Sequence, residues 1–228
     1  MAAAGGKQKV LLAWSGGKDS ALALHELGAA GDCQVVALLT TITEGYDRVS
    51  MHGVREALLD RQADSVALPL TKVRIPKDSS LDEYEARMGK ALAHHKRQGV
   101  SSVAFGDVFL EDLRKDREAK LARIGLTAVF PLWQRDTTEL ARRFVELSFK
   151  AVITCVDTRM LDGTFAGRAF DERFLADLPE GVDPCGENGE FHSFVHDGPV
   201  FARPVAHEVG ETVLREGRFC FCDLVRTE

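Results

Sequence analysis

Hydrophobic and polar positions fall into alternating blocks along this chain. "KVLLAW" (residues 9–14) and "CQVVALLTTI" (33–42) are almost unbroken apolar runs, the pattern of strands buried on both faces of a parallel sheet. Between them "SALALHELGAAG" has helical spacing and ends at Gly28 or Gly31. A second helix is expected over roughly residues 51–62, and a third strand within "SVALPLTKV". Ser80 followed by Glu83 makes a capping box, after which Leu81, Tyr84, Met88, Ala91, Leu92 and His95 recur at helical intervals. "GVSSVAFGDV", "TAVFPLW" and "KAVITCVD" predict the fourth, fifth and sixth strands. The helix between the last two opens at Asp136, with Glu139 completing a second capping box.

Strands alternating with helices predict an α/β fold, a mostly parallel, doubly wound sheet covered on both faces. That pattern spans residues 1–157. Beyond Asp157 the chain turns rich in glycine, charge and aromatics, and "VFARPVAHEV" and "ETVLREGRFCFCDLV" read as paired strands. A smaller C-terminal lobe is therefore expected over residues 158–228, resting on the first sheet, with a loop-rich joint around 181–189.

Composition narrows the class. The 228 residues suffice for one large α/β domain with a small appendage. No apolar stretch approaches the roughly 20 residues that cross a bilayer, and the first residues lack the apolar core of a signal peptide. A cytoplasmic protein without membrane contact is expected. Five cysteines without regular spacing fit free thiols. The net charge of −6 offers nucleic acid no overall attraction.

The chemistry begins at "WSGGKDS", directly after the first strand. A strand, a glycine turn and a helix start gather backbone N–H groups and a positive dipole end at one place, which suits an anion. Gly16 and Gly17 let the backbone approach, Ser15 and Ser20 add hydroxyls, and Lys18 adds a charge. This is not a Walker A loop, because the glycine that pattern requires falls on Leu12. Asp19 either binds Mg²⁺ or caps the helix. Ligands of open parallel sheets sit beyond the carboxyl ends of the strands. "FGDV" brings Gly106 and Asp107 there, Asp107 as a metal ligand, an organiser of the loop or a turn residue. The end of the second strand, Leu39 to Thr41, is expected beside the base, with Met51 and His52 nearby.

A second polar concentration, "PCGENGEFH", lies in the joint. Glu187, Asn188, Glu190 and His192 combine acceptors, donors and a titratable base between two turn-forming glycines. A buried cluster of this kind needs internal partners. A zinc site of Cys185, His192, Cys220 and Cys222 is disfavoured by the single-residue spacing of the last two and the lack of a CxxC pair.

"SGGKDS" resembles the SGGxDS loop of the PP-loop ATP pyrophosphatases. With "GDV", "FPLW", "CGENGEFH" and "DGPVF", the chain from about residue 9 to 204 resembles the diphthine–ammonia ligase family. The resemblance implies ATP as cosubstrate, with Ser15, Gly16, Gly17, Lys18, Asp19 and Ser20 holding its β,γ-pyrophosphate. Glu187, Asn188, Glu190 and His192 would then line the acceptor site. It implies a carboxylate substrate, diphthine on elongation factor 2, amidated by ammonia through an acyl-adenylate.

A carboxylate is a poor acyl donor until adenylylation replaces oxide with AMP as leaving group. Loop amides, Lys18 and Mg²⁺ held by Asp19 and Asp107 would stabilise the charge that develops at phosphorus. Glu190 or His192 would release ammonia from ammonium. Residues 2–4 are alanines, so a glutaminase with a leading cysteine is not expected and free ammonia or an amine is the nucleophile. Alternatives are a small-molecule carboxylate as acceptor, or a nucleotide-binding module without turnover. A homodimer is expected on base rate alone.

Overall fold

A computed structural model describes residues 6–45, 48–49 and 53–227 of the chain. Met51 and His52 lie outside the described residues. The first sheet is built from β1 (Gln8–Ala13), β2 (Cys33–Thr43), β3 (Arg48–Val49), β4 (Leu70–Ile75), β5 (Ser102–Ala104) and β6 (Thr127–Val129). Five of these run parallel in the spatial order β4–β2–β1–β5–β6, and β3 pairs antiparallel with the end of β2.

Helices α1 (Lys18–Ala30), α2 (Glu56–Ser65), α3 (Leu81–Arg97) and α4 (Glu111–Arg123) cover its two faces. The alternation along β1 shows how. Val10 and Leu12 join the core that contains Leu22, Leu27, Leu58 and Leu59 of α1 and α2, whereas Leu11 joins Leu92 of α3 and Leu121 of α4. Both faces of β1 are thus dry, which is why its sequence is a continuous apolar run. The chain leaves β1 outward to β2 and β4, then returns to the other side of β1 for β5 and β6. The loops after β1 and β5 consequently diverge and open a crevice.

Local signals account for several helix limits. Gly31, not Gly28, ends α1 with a left-handed φ of 72°, and its N–H reaches the Leu27 carbonyl. Ser80 caps α3 by accepting from the Glu83 N–H at 3.2 Å, but the Glu83 carboxylate turns to Arg87 instead of closing the box. Asp136 caps α5 (Thr137–Glu146) by accepting from the Glu139 N–H. Leu81, counted in the apolar stripe of α3, is 66% exposed. Helix α4 has only Leu121 buried; no apolar stripe announces it in the sequence.

One strand lies elsewhere than expected. The sixth apolar run is β7 (Lys150–Asp157), and it does not extend the parallel sheet. It pairs antiparallel with β8 (Phe191–Asp197) and β10 (Phe219–Arg226), and β9 (His207–Arg215) completes the order β8–β7–β10–β9. A boundary after Asp157 would cut β7 from the sheet it belongs to. A continuous apolar run reports that both faces are covered and carries no information about strand direction. The short helix α6 (Glu172–Asp177) packs on this lobe. Phe144, Phe170, Phe174 and Phe191 form a chain of ring contacts at 5.1–5.3 Å, anchoring the start of β8 to α5 and α6. No helix among the described residues is long and apolar enough to cross a membrane.

Candidate active site

The loop expected to hold phosphate occupies the crevice between β1 and β5. Gly16 holds φ at 80°, a conformation side chains resist, and Gly17 is the N-cap of α1 with no side-chain capping bond. The Gly17 N–H donates to Ser15 Oγ at 3.2 Å, and Ser20 Oγ donates to the Gly17 carbonyl at 2.8 Å. Two contacts from the antiparallel lobe hold the loop from outside. The Lys18 N–H donates to Ser193 Oγ at 3.1 Å, and the Val195 N–H donates to the Gly16 carbonyl at 2.9 Å. Gly106, at the end of β5, lies against the backbone of Asp19. A Cβ there would stand 2.9 Å from the Asp19 carbonyl.

A cavity of about 550 Å³ opens on this loop. Its floor carries Ser15, Gly17, Lys18, Asp19 and Ser20, and one wall is Gly106, Asp107 and Arg117. Leu39, Thr40 and Thr41 line the side expected for the base, with Tyr84 and Met88 of α3. Cys185, Gly186, Glu187, His192 and Ser193 complete the lining. The two sequence motifs, 170 residues apart, therefore line one cavity together.

Charge in this cavity is tightly organised. Lys18, only 4% exposed, donates to both oxygens of Asp19 at 2.7 and 2.8 Å. Burial opposes its charge, but Asp19, Cys185 and Glu187 outweigh that and hold its pKa above the usual lysine value. Asp19 therefore does not cap α1 through its side chain. Asp107 pairs with Arg117, whose Nη2 donates to Oδ1 at 3.2 Å; Arg117 also lies over the Phe105 ring at 4.1 Å. The Arg117 Nε is 2.9 Å from Asp107 Oδ2, yet its N–H is not aimed there, and neither atom has a hydrogen bond. Burial raises the Asp107 pKa, with Arg117 opposing and Asp19 adding to it.

Glu187 is pushed up to about 7 by burial and by Asp19, against the pull of Lys18, with Asp183 and Asp107 adding to the rise. His192 is held below its usual value by burial and by Lys18, so its imidazole is neutral at pH 7. Cys185 donates to the Thr137 carbonyl, and burial pushes its thiol up to about 12 in spite of Lys18. It is no nucleophilic thiolate.

Glu190 departs from the expectation of a base facing the substrate. It is fully buried and absent from the cavity wall. Its carboxylate accepts from the Asp183 N–H, the Asn188 N–H and the Asn188 side-chain amide, at 2.9–3.0 Å. Asp183 does the complementary work, accepting from the Cys185 and Glu187 N–H groups and from Thr137 Oγ1. Glu190 and Asn188 thus shape the loop that presents Glu187. They are drawn inward because backbone N–H groups in a tight buried turn demand acceptors.

Ser193, Asp183 and Gln62 are participants that motif reading passed over. Gln62 had a signal: on α2, Leu58, Leu59, Gln62 and Ala63 share the buried stripe, where a polar side chain must have partners. The cysteines and His192 do not assemble for zinc. Cys220 and Cys222 pack beside Gly163 and Gly167, apart from the cavity, and no metal-holding group of three His, Cys, Asp or Glu occurs among the described residues. Two carboxylates do suit Mg²⁺, which takes one or two protein oxygens and completes its shell with phosphate and water. Asp19 and Asp107 meet that requirement, and the buried Asp107 Oδ2 has no hydrogen bond.

Comparison with known proteins agrees with this geometry. The diphthamide synthase N-terminal domain matches residues 8–128, and the diphthamide synthase C-terminal domain matches residues 136–224. A human protein named diphthine–ammonia ligase is 28% identical over 223 residues, covering 88% of this chain and 83% of its own. The zebrafish (Danio rerio) protein of that name is 28% identical, covering 88% and 86%. The Schizosaccharomyces pombe protein of that name is 26% identical over 94% of this chain, which corresponds to 40% of its longer length. With both halves matched from β1 to β10, the chain belongs to the diphthamide synthase family, a family of ligases.

Proposed function

We propose that this ligase uses ATP to adenylylate a carboxylate and then amidates it with ammonia, the acceptor being diphthine on elongation factor 2. The observation that carries the reading is the single cavity in which the phosphate loop faces Glu187 and His192. In the first step an acceptor carboxylate oxygen bonds to the α-phosphorus. The bond from that phosphorus to its bridging oxygen breaks, and pyrophosphate leaves into the loop. Loop N–H groups and Lys18 stabilise the departing charge. In the second step ammonia attacks the acyl carbon, the bond to AMP oxygen breaks, and the amide carries away one proton too many. Glu187 or His192 accepts it: both line the cavity, and Glu187, pushed up to about 7, exchanges protons near neutrality.

Asp19 and Asp107 would hold Mg²⁺, which when bound neutralises phosphate oxygens. Asp19 pairs with Lys18, so ATP binding would have Lys18 exchange a carboxylate for a phosphate partner. Leu39, Thr40 and Thr41, near the end of β2, line the part of the cavity left for the base.

The test supplies ATP, ammonia and elongation factor 2 bearing diphthine, and follows nucleotide products and the mass of the factor. The expected result is AMP, pyrophosphate and conversion of acid to amide. ADP with orthophosphate would exclude the mechanism. Amidation of small carboxylic acids, with the factor left unchanged, would transfer the reading to a small-molecule acceptor.

A further inference from the structure

We infer that Gln62, a residue outside the cavity, is the positioning residue that keeps the phosphate loop's carbonyl turned away from the anion. The inference rests on the reading of this loop as the pyrophosphate holder. An anion-binding loop works only if its N–H groups point into the site and its carbonyls point out. The carbonyl most at risk is that of Gly16, since a residue at positive φ has wide freedom to swing its peptide planes.

Gln62 is fully buried on α2 and its amide is spent on this task. Its Nε2 donates to the Gly16 carbonyl at 3.0 Å and to the Val195 carbonyl at 2.5 Å. Its Oε1 accepts from the Trp14 indole N–H at 2.9 Å, which decides which end of the amide faces the loop. Trp14 is 2% exposed and immediately precedes the loop. Gly16 and Gln62 are also interlocked sterically: a Cβ on Gly16 would stand 2.7 Å from Gln62 Oε1 and 2.7 Å from Leu59 Cδ2.

The Val195 N–H donates to the same Gly16 carbonyl from β8. One glutamine therefore joins the end of β1, the phosphate loop and the strand that carries His192 and Ser193. A side chain needed only for packing would be apolar here, as Leu58 and Leu59 are on the same stripe. An amide with three oriented bonds specifies the direction of the loop peptide.

The test measures affinities of the full chain for inorganic pyrophosphate, ATP and adenosine in the wild type, Gln62→Leu and Trp14→Phe. Gln62→Leu keeps the volume, strands the Trp14 indole N–H and takes the side-chain donor from the Gly16 and Val195 carbonyls, leaving Gly16 held by the Val195 N–H alone, so pyrophosphate and ATP affinity should fall by about tenfold or more while adenosine affinity stays unchanged. Trp14→Phe releases the orienting bond, keeps both Gln62 donor bonds and gives up some core volume, and a smaller loss with the same selectivity is expected. Wild-type pyrophosphate affinity in folded Gln62→Leu, or equal losses for pyrophosphate and adenosine, would overturn the inference. If Gln62→Leu does not fold, Trp14→Phe is judged by the same two criteria. A wild-type chain that takes up neither ATP nor pyrophosphate would refute the underlying reading of the loop, whereas intact wild-type binding with unselective variants refutes the role of Gln62 alone.

Discussion

Asp19 grips the ammonium of its own neighbour, Lys18, through both carboxylate oxygens at 2.7 and 2.8 Å at the entrance to the phosphate loop. An anion arriving at this loop meets a cation already neutralised and a carboxylate that repels it. A divalent cation that takes Asp19 would release Lys18 for the phosphates. Mg²⁺ should therefore strengthen ATP binding in the wild type, and Asp19→Asn should bind ATP more tightly without Mg²⁺ and gain much less when it is added. Titration calorimetry with and without Mg²⁺ checks this. An unchanged Mg²⁺ increment in Asp19→Asn would remove Asp19 from the metal site.

Glu187 titrates near pH 7 because burial and the neighbouring Asp19 disfavour its charge. If it accepts the proton from the amidation step, the rate should rise with pH through that value, and Glu187→Gln should lose about 100-fold or more. Stability carries an independent sign. A carboxylate whose pKa is raised in the folded state binds its proton more tightly there than in the unfolded chain. Its ionisation costs stability, by nothing below the ordinary carboxylate range and by the full amount above about pH 7. Glu187→Gln should accordingly raise the melting temperature more at pH 8 than at pH 5. A gain that is larger at pH 5 would contradict the assignment.

Glu190 predicts a different phenotype from the residues that touch the cavity. Its carboxylate collects three donors from residues 183 and 188, so Glu190→Ala leaves buried N–H groups without acceptors, at about 1–3 kcal/mol for each group. The variant should lose several degrees of melting temperature, become cleavable by protease near residues 183–189, and lose amidation. ATP affinity should persist, since the phosphate loop is held by Ser193 and Val195 from β8. Lys18→Ala should show the reverse, a stable chain with weakened ATP binding.

The contrast between Lys18 and Glu190 shows what was legible in the sequence. The glycine loop expected to take phosphate is local: strand, glycine turn and helix start lie within a dozen residues, and that expectation follows from groups adjacent in the chain. Glu187 and Glu190 are near neighbours in one motif, and sequence assigns both to the site, with the role of base going to Glu190 or His192 and not to Glu187. Only the fold turns one outward to the cavity and the other inward to satisfy backbone N–H groups. Strand β7 was legible as a strand and misplaced between sheets, because hydrophobicity reports burial and not pairing partner. Ser193 and Gln62 escaped for a related reason: their partners are 175 and 46 residues away. Helix α4 escaped because its single buried residue, Leu121, makes no stripe.

Gly106 offers the sharpest steric test of how the two ends of the sheet meet. Its φ is ordinary, so alanine is acceptable to the backbone itself. The obstacle is the Asp19 backbone, whose carbonyl carbon and oxygen would both lie 2.9 Å from the new Cβ. Backbone in the first turn of α1 cannot step aside without displacing Lys18, Asp19 and the loop that precedes them. Gly106→Ala should destabilise the chain by about 1–3 kcal/mol through overpacking, and weaken ATP binding as the loop moves. Alanine at Gly28 meets no atom within 4 Å on an exposed turn of α1; there it should leave both properties intact or slightly improve stability, as glycine is a poor helix former. Denaturant midpoints and ATP titrations of the two variants provide the comparison. Wild-type behaviour of Gly106→Ala would contradict a close approach of the segment after β5 to the first turn of α1.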